Sequence, residues 1–383
     1  MYLLEHDAKE LLAARGIAVP AGCLIEGAAA ARTASLPAGP WVVKGQIAAG
    51  GRGKAGLIRK AASIAELEAQ ARHIIGASVK GQRVATARIE QRVSGARETY
   101  VGFLIDAASG GVRVIFSARG GMDIELVPRD QIYTELARPD MQSLANCVRQ
   151  LARNLPPEIA PSIGDAGERL AQAFVELEAL LIEINPLFVR PDGRWIAGDA
   201  KIVTDDNALP RQTALESLVK ARAAAYPDVA RKHEHGFDYV VVDPEGEIGL
   251  LTTGAGLSMM LIDELRAAGL KPYNFLDIRT GGLRGETRRL TQVLKWIGEG
   301  QKVRVLLVNI FAGITDLGEF SRLLVDVIAA APQLKVPVVA RLVGNGLPAA
   351  REVLASAGIP LYTDLDGALA EVRKHLARRM KEE

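Results

Sequence analysis

The sequence predicts two unlike halves: a mixed, largely antiparallel α+β half over residues 1–232, and a doubly wound parallel α/β half over residues 237–383. Three observations lead there. In the first half, apolar runs of strand length come in succession before two long helical stretches. In the second, strands alternate with helical segments, the pattern of a parallel sheet with crossover helices. Between them, residues 221–236 are alanine-rich and end in Lys232-His233-Glu234-His235-Gly236, which reads as a linker.

Leu4, Ala8, Leu11 and Leu12 recur at helical spacing, so the chain opens with a short amphipathic helix that stops by Gly16. Residues 41–44, 87–91, 99–105 and 112–117 read as strands. Helical stretches follow at 141–155 and 167–180. Residues 181–188 and 195–201 are two further strands around Pro191-Asp192-Gly193, a three-residue hairpin signal with glycine at the left-handed position. Beyond the linker, residues 239–242, 248–252, 304–309 and 336–341 are apolar strands.

The hairpin carries the most informative polar pattern. If its turn pairs Arg190 with Arg194, then Asn185 faces Asp199 and Glu183 faces Lys201, and the period of two puts all four on one side. Mg²⁺ takes hard oxygen ligands in octahedral geometry and completes its shell with water and substrate phosphates, so one or two protein oxygens suffice. Asn185 and Asp199 fit that role. The alternative is a surface hairpin with solvated charges.

After the strand ending in Lys44, residues 45–56 hold five glycines, Gly50, Gly51 and Gly53 among them, together with Arg52 and Lys54. Such a loop lets backbone amides approach an anion closely while Lys44, Arg52 and Lys54 supply charge. It lacks the Gly-Lys-Ser/Thr ending of a Walker loop. A flexible connection between two strands is the alternative. At the end of the 87–91 strand, Glu90, Arg92 and Val93 are placed to offer main-chain groups to an adenine edge, with Glu98 nearby for a ribose hydroxyl. Residues 117–123 form a second glycine turn carrying Arg119, a lid over phosphates or a plain hairpin connection.

Size and composition bound the class. The 383 residues are enough for two or three domains. With 49% hydrophobic and 24% charged residues and a net charge of +2, there is no global basic field for nucleic acid or anionic membrane. Cys23 and Cys147 are far apart without metal-ligand spacing, which points to reduced thiols in a cytoplasm-like compartment. No basic leader precedes an apolar stretch, and no run of about 18 apolar residues occurs, so neither export signal nor membrane span is expected.

Together these pieces resemble the β subunit of succinyl-CoA synthetase and its malate-CoA ligase relatives, ADP-forming acid-CoA ligases with an ATP-grasp domain. The resemblance rests on residues 5–12 (Glu-His-Asp-Ala-Lys-Glu-Leu-Leu), 50–56, 120–125, 183–187, 205–209, 254–257, 274–277 and 309–311, in that order along nearly the whole chain. It implies an ATP-grasp half followed by a flavodoxin-like CoA-ligase half. It further implies Lys44, Gly51, Arg52 and Gly53 on phosphates, Glu90 to Val93 on the base, Mg²⁺ at Asn185 and Asp199, and Glu183 near a docked phosphohistidine. That histidine belongs to a partner α subunit, which also carries the CoA-binding fold, in an αβ complex or its dimer. The five histidines here, His6, His73, His233, His235 and His375, lie outside any glycine-rich catalytic loop.

The chain departs from the family where the acid is read. Thr253 stands where succinate enzymes carry asparagine. Gly313-Ile314-Thr315-Asp316 ends in an anion where the family has an arginine, while Arg279 interrupts a triple glycine and supplies a cation from another side. An anion in place of a cation near a dicarboxylate turns attraction into repulsion, so an acid other than succinate, or another pose of it, is expected. Ala48 replaces a histidine beside the glycine loop, with slower phosphoryl transfer as the expected consequence. The competing readings are an ATP-grasp carboxylate-amine ligase and a nucleotide-binding partner without catalysis. ATP and GTP are not distinguished by a base segment that uses main-chain groups.

Overall fold

Strand Trp41–Gln46 alternates strictly: Val43 and Gly45 face an apolar layer, and Lys44 and Gln46 face the other way, yet all four are buried. It lies in a four-stranded antiparallel sheet, in the order Gly22–Ile25, Thr86–Gln91, Trp41–Gln46, Ile58–Ala61. The apolar side, with Val43, Ala87 and Ile89, packs on helix Ile64–Ile74 through Leu67, Ala71 and Ile74. Ser63 caps that helix by accepting from Glu66 N (3.2 Å), and Glu66 reaches back to Ala62 N (2.8 Å). The polar side carries Lys44, Gln46, Arg88 and Glu90 and is closed by the opening helix Glu5–Ala13, whose His6 N donates to Gln46 Oε1 (2.8 Å). The computed structural model describes residues 1–32, 35–79, 82–278, 287–313, 315–331 and 334–379.

A second, six-stranded antiparallel sheet runs Trp195–Ala197, Ala179–Val189, Arg97–Asp106, Gly111–Ser117, Ile132–Ala137, with Lys201–Thr204 also on Ala179–Val189. Helices Met141–Ala152 and Ala160–Glu176 cover it, Phe174 packing on Phe103 with ring centroids 6.0 Å apart. The hairpin register is the expected one, Val189 opposite Trp195 and Glu183 opposite Lys201. Its second strand, however, is broken between Ala197 and Lys201, so the expected pair of Asn185 with Asp199 is not part of the ladder. Gly198 N donates to Pro186 O (2.9 Å), and Gly198 O turns to the ammonium groups of Lys9 and Lys44. A side chain at Gly198 would meet the Phe188 ring at 2.2 Å, so only glycine fits. The helix expected at 167–180 is also displaced. It begins about two turns earlier, at Ala160, with Pro161 tolerated in its first turn, and ends before Glu178, whose φ of 46° turns Ala179 and Leu180 into strand.

The chain divides into two compact units, Met1–Leu218 and Val219–Glu383. The stretch expected as a linker is largely helical: Pro227–His235 is a helix with proline in its first turn and Gly236, at φ 74°, as its left-handed cap. His235 and Phe237 then lie on Trp296, with centroids 4.9 and 5.6 Å from it, which fastens this segment to the second unit's core. That unit holds a parallel sheet in the order Ile248–Thr252, Val305–Ala312, Val338–Gly344, Leu361–Tyr362. Leu250, Leu307 and Val339 face helices Ala255–Ala267 and Leu365–Arg379, and Leu306, Val308 and Leu342 face helices Thr287–Gly298 and Leu317–Ala329. The sheet is therefore wound on both faces. A short antiparallel pair, Asp238–Val241 with Asn274–Asp277, sits beside it.

Candidate functional site

The sheet register sets the first contacts of the site. Val42 pairs with Glu90 and Lys44 with Arg88, so Lys44 and Glu90 are diagonal neighbours on the polar face, and Lys44 Nζ lies 2.8 Å from Glu90 Oε1. The opening helix adds Glu5 and Lys9, one turn apart on its buried side. Glu5 Oε1 takes Lys44 Nζ (2.8 Å) and Lys9 Nζ (2.7 Å), while Lys9 also reaches Glu90 Oε2 (2.6 Å). Both ammonium groups end on Gly198 O, at 2.9 and 2.7 Å. Arg88 seals the far end on Glu90 Oε2 (3.0 Å), Pro20 O (3.0 Å) and His6 Nδ1 (2.6 Å).

Arg52 joins this cluster to the hairpin. From the glycine loop its Nη1 reaches Glu5 Oε2 and its Nη2 reaches Asp199 Oδ1, each at 2.6 Å. The loop itself is a tight turn, with Ala55 N on Gly51 O (3.1 Å), Gly56 N on Gly53 O (3.1 Å) and φ 85° at Gly51. Lys54 ion-pairs with Asp123 of the second glycine turn. That turn is held by Asn185, whose Oδ1 accepts from Gly121 N and whose Nδ2 donates to Met122 O, both at 2.8 Å. Gly121 has φ 73°, in the left-handed region that favours glycine. The glycine loop, the second glycine turn, Asp199 and Asn185 are thus one contiguous assembly.

Charge states follow from this packing. Burial pushes the Glu5 carboxyl up, but Arg52, Lys44 and Lys9 outweigh it and hold it well below the usual carboxylate range. Glu90 is lowered in the same way, against its own burial, by Lys44 and Lys9. Burial alone would lower Lys44, yet Glu5 and Glu90 raise it above an ordinary lysine. Lys9, with no exposed surface, is instead lowered by desolvation despite the same two carboxylates. Tyr2, buried beside Arg52, Asp199 and Glu183, is pushed up to about 12.

Hard oxygen donors are present, but no group of three or more His, Cys, Asp or Glu side chains is arranged around one point among the described residues. Of the expected donors, Asn185 Oδ1 accepts from Gly121 N, and Asp199 Oδ1 accepts from Arg52 Nη2 and Ala200 N, so a Mg²⁺ ion here would bring most of its shell as water and phosphate oxygens. Glu183 lies in the same strand, 3.4 Å from Lys201 Nζ across the ladder. Near the 87–91 strand end, Gln91 N and Arg92 N are already bonded to Ala21 O (2.9 Å) and Pro40 O (2.8 Å). Arg92 and Val93 line a cavity of about 720 Å³ with Pro20, Pro40 and Arg190. The side chain of Glu90 points away into the charge cluster.

A family model described as an ATP-grasp domain matches residues 2–189, and one described as a CoA-ligase matches residues 251–374. The ADP-forming succinate–CoA ligase subunit beta of Chloroflexus aurantiacus is 38% identical over 96% of this chain and 97% of its own length. The protein of the same name from Halorhodospira halophila is 36% identical, covering 97% and 98%. The chain belongs to the succinate–CoA ligase β-subunit family. Its fold also matches that of ATP citrate lyase from Methanothrix soehngenii, solved with citrate and coenzyme A, at a TM-score of 0.71 and 18% identity over 94% of this chain and 95% of that one.

In this succinate–CoA ligase β-family chain, the residues expected to read the acid lie in the second unit. Thr253 is buried at the end of strand Ile248–Thr252, in a parallel bridge with Ile278. Gly313 is exposed, and Thr315 is buried with its hydroxyl unpartnered among the described residues. Asp316 is the N-cap of helix Leu317–Ala329, its Oδ1 accepting from Glu319 N at 2.8 Å. Arg279 and Ile314 lie outside the described residues.

Sequence reasoning missed Glu5, Lys9, Arg88 and Asp123 as members of the charge assembly around the glycine loop. Glu5 and Lys9 stood inside the family signature of residues 5–12, but the Glu-x-x-x-Lys spacing reads equally well as a solvated helix pair. Nothing local marks their burial.

Proposed function

We propose that this chain is the nucleotide-activating subunit of an acid–thiol ligase that converts ATP (or GTP), a carboxylic acid and CoA into acyl-CoA, ADP (or GDP) and phosphate. The carrying observation is Arg52, which ties the glycine loop to Asp199 at 2.6 Å and so supports phosphate binding and metal binding at one place. The first unit, Met1–Leu218, does the nucleotide work, and the second, Val219–Glu383, reads the acid, while the partner α subunit supplies the CoA-binding fold.

In this reading the amides of Gly51 to Gly53, with Lys44 and Arg52, cradle the phosphates. Val93 and Arg92 line the base cavity, and Glu98 meets the ribose. Asn185 and Asp199 hold Mg²⁺, which when bound neutralises charge on the terminal phosphate oxygens. The terminal phosphoryl leaves ADP for a histidine of a separate α subunit, docked near Glu183. It then passes to the acid, giving an acyl phosphate. The CoA sulfur bonds to the acyl carbon as the carbon–oxygen bond to phosphate breaks. All five histidines of this chain lie within helices, which supports placing the phosphohistidine on the partner. Thr253, Arg279, Gly313, Ile314, Thr315 and Asp316 set the choice of acid, which differs from succinate or takes another pose.

The test is a purified chain given Mg-ATP, CoA and a panel of acids, with and without its α subunit. Acyl-CoA and ADP are expected only when partner, acid and CoA are all present. Acyl-CoA made by the chain alone, or ADP release with an amine replacing CoA, contradicts the assignment. Succinate as the best acid of the panel contradicts a different acid and leaves only the altered pose.

A further inference from the structure

We infer that Glu5, braced by Lys9, is a positioning residue that aims Lys44 and Arg52 at the nucleotide phosphates. The inference rests on the functional reading above, in which those two cations meet phosphate. Glu5 lies on the opening helix, 39 residues from Lys44 and 47 from Arg52, and its side chain is 1% exposed. Its two oxygens divide the work: Oε1 fixes Lys44 Nζ at 2.8 Å, and Oε2 fixes Arg52 Nη1 at 2.6 Å. One carboxylate therefore sets the separation of the two cations, one from a strand and one from a glycine loop that could otherwise move independently.

Lys9 makes this possible. Glu5 and Glu90 both grip Lys44, and with Lys44 alone between them their charges would repel. The Lys9 ammonium sits between the same two carboxylates, at 2.7 and 2.6 Å, and is pinned by Gly198 O. Lys9, Lys44, Arg52 and Arg88 face Glu5, Glu90, Asp199 and, at the rim, Glu10, so the cluster is charge-balanced before any nucleotide arrives. Lys44 spends its three donors on Glu5, Glu90 and Gly198 O, so its position is fixed before the phosphates enter and a phosphate oxygen engages it by replacing one of these acceptors.

Charge and position predict opposite signs, and that makes the test decisive. Removing a negative charge beside two phosphate-binding cations should, by Coulomb's law alone, tighten a polyanion. Loss of positioning should weaken it. Mg-ATP binding is measured by titration calorimetry on the full chain, wild type against Glu5→Gln, with the melting temperature as the check on folding. The expected result is a folded Glu5→Gln variant that binds Mg-ATP on the order of 10- to 100-fold more weakly, the range typical of supporting-residue losses. Equal or tighter binding by that folded variant overturns the inference. If Glu5→Gln does not fold, Glu5→Asp decides. It keeps the charge but shortens the reach by one methylene, and binding as tight as wild type overturns the inference there too. A wild-type chain that binds no Mg-ATP overturns the functional reading, and the inference with it, whereas tight wild-type binding left unchanged in the variants overturns the inference alone.

Discussion

Arg52 Nη2 lies 2.6 Å from Asp199 Oδ1, an ion pair that closes 147 residues of chain and brings a glycine loop onto a hairpin. Asp199 keeps its orientation by accepting from Ala200 N at 2.8 Å as well, so the pair is anchored from both sides. Four expectations follow from this and related contacts.

Arginine is used here for its fork: Nη1 and Nη2 reach two different carboxylates, Glu5 and Asp199. Lysine has the charge but one nitrogen, so it serves one carboxylate at a time. Arg52→Lys is expected to lower kcat/KM for ATP on the order of tenfold in the assembled enzyme, about 1.4 kcal/mol of transition-state stabilisation. Steady-state kinetics with varied ATP check this, and wild-type values in the variant contradict the bridging role.

Acid should destabilise the first unit through its buried carboxylates. Glu5 and Glu90 titrate below their ordinary 4.5, because buried cations outweigh desolvation. A depressed carboxyl pKa contributes stability that is present above the unfolded value and lost as pH falls through the folded one. Urea midpoints should hold down to about pH 4.5 and then fall steeply. A midpoint unchanged from pH 7 to pH 3 contradicts the assignment.

Asn274 acts as a piece of strand. Its side-chain Oδ1 accepts from Leu250 N (2.8 Å) and its Nδ2 donates to Leu250 O (2.9 Å), while its own backbone belongs to the pair with Asp238–Val241. Asn274→Ala leaves both buried Leu250 groups unpaired, at a cost of about 3 kcal/mol. Denaturant unfolding measures it. Asn274→Asp should be worse, since it removes the donor and buries a charge.

Asp316 has two separable roles. As the cap of helix Leu317–Ala329 it contributes about 1 kcal/mol, which Asp316→Ala should remove. Asp316→Asn keeps an accepting oxygen for Glu319 N and deletes the charge, so stability should hold while the preferred acid shifts toward dicarboxylates. An unchanged acid panel with Asp316→Asn would mean that the residue is only a cap.

Much of this was legible in the chain itself. The register of the hairpin, Glu183 opposite Lys201, follows from a turn of known length and the two-residue period, both local properties. The parallel half was legible because strands buried on both faces are apolar throughout and alternate with helices. Element ends were harder. Glu178 at positive φ and the break at Gly198 depend on packing against the next layer, which periodicity does not report. The supposed linker became helix Pro227–His235 because Trp296, far along the chain, supplies the surface on which it lies.

What composition, period and turn chemistry determined alone were the two fold classes, the glycine cradle, and the oxygen-bearing hairpin. What only the tertiary structure decided was which charges leave water. Glu5 and Lys9 are four residues apart on a helix, a spacing that is the same whether the face is wet or dry. They are buried because Glu90, 81 residues beyond Lys9, and Gly198, 154 beyond Lys44, close over them. A charge is removed from water by groups that surround it in space, and those groups are scattered along the sequence, so no local pattern could have carried the information.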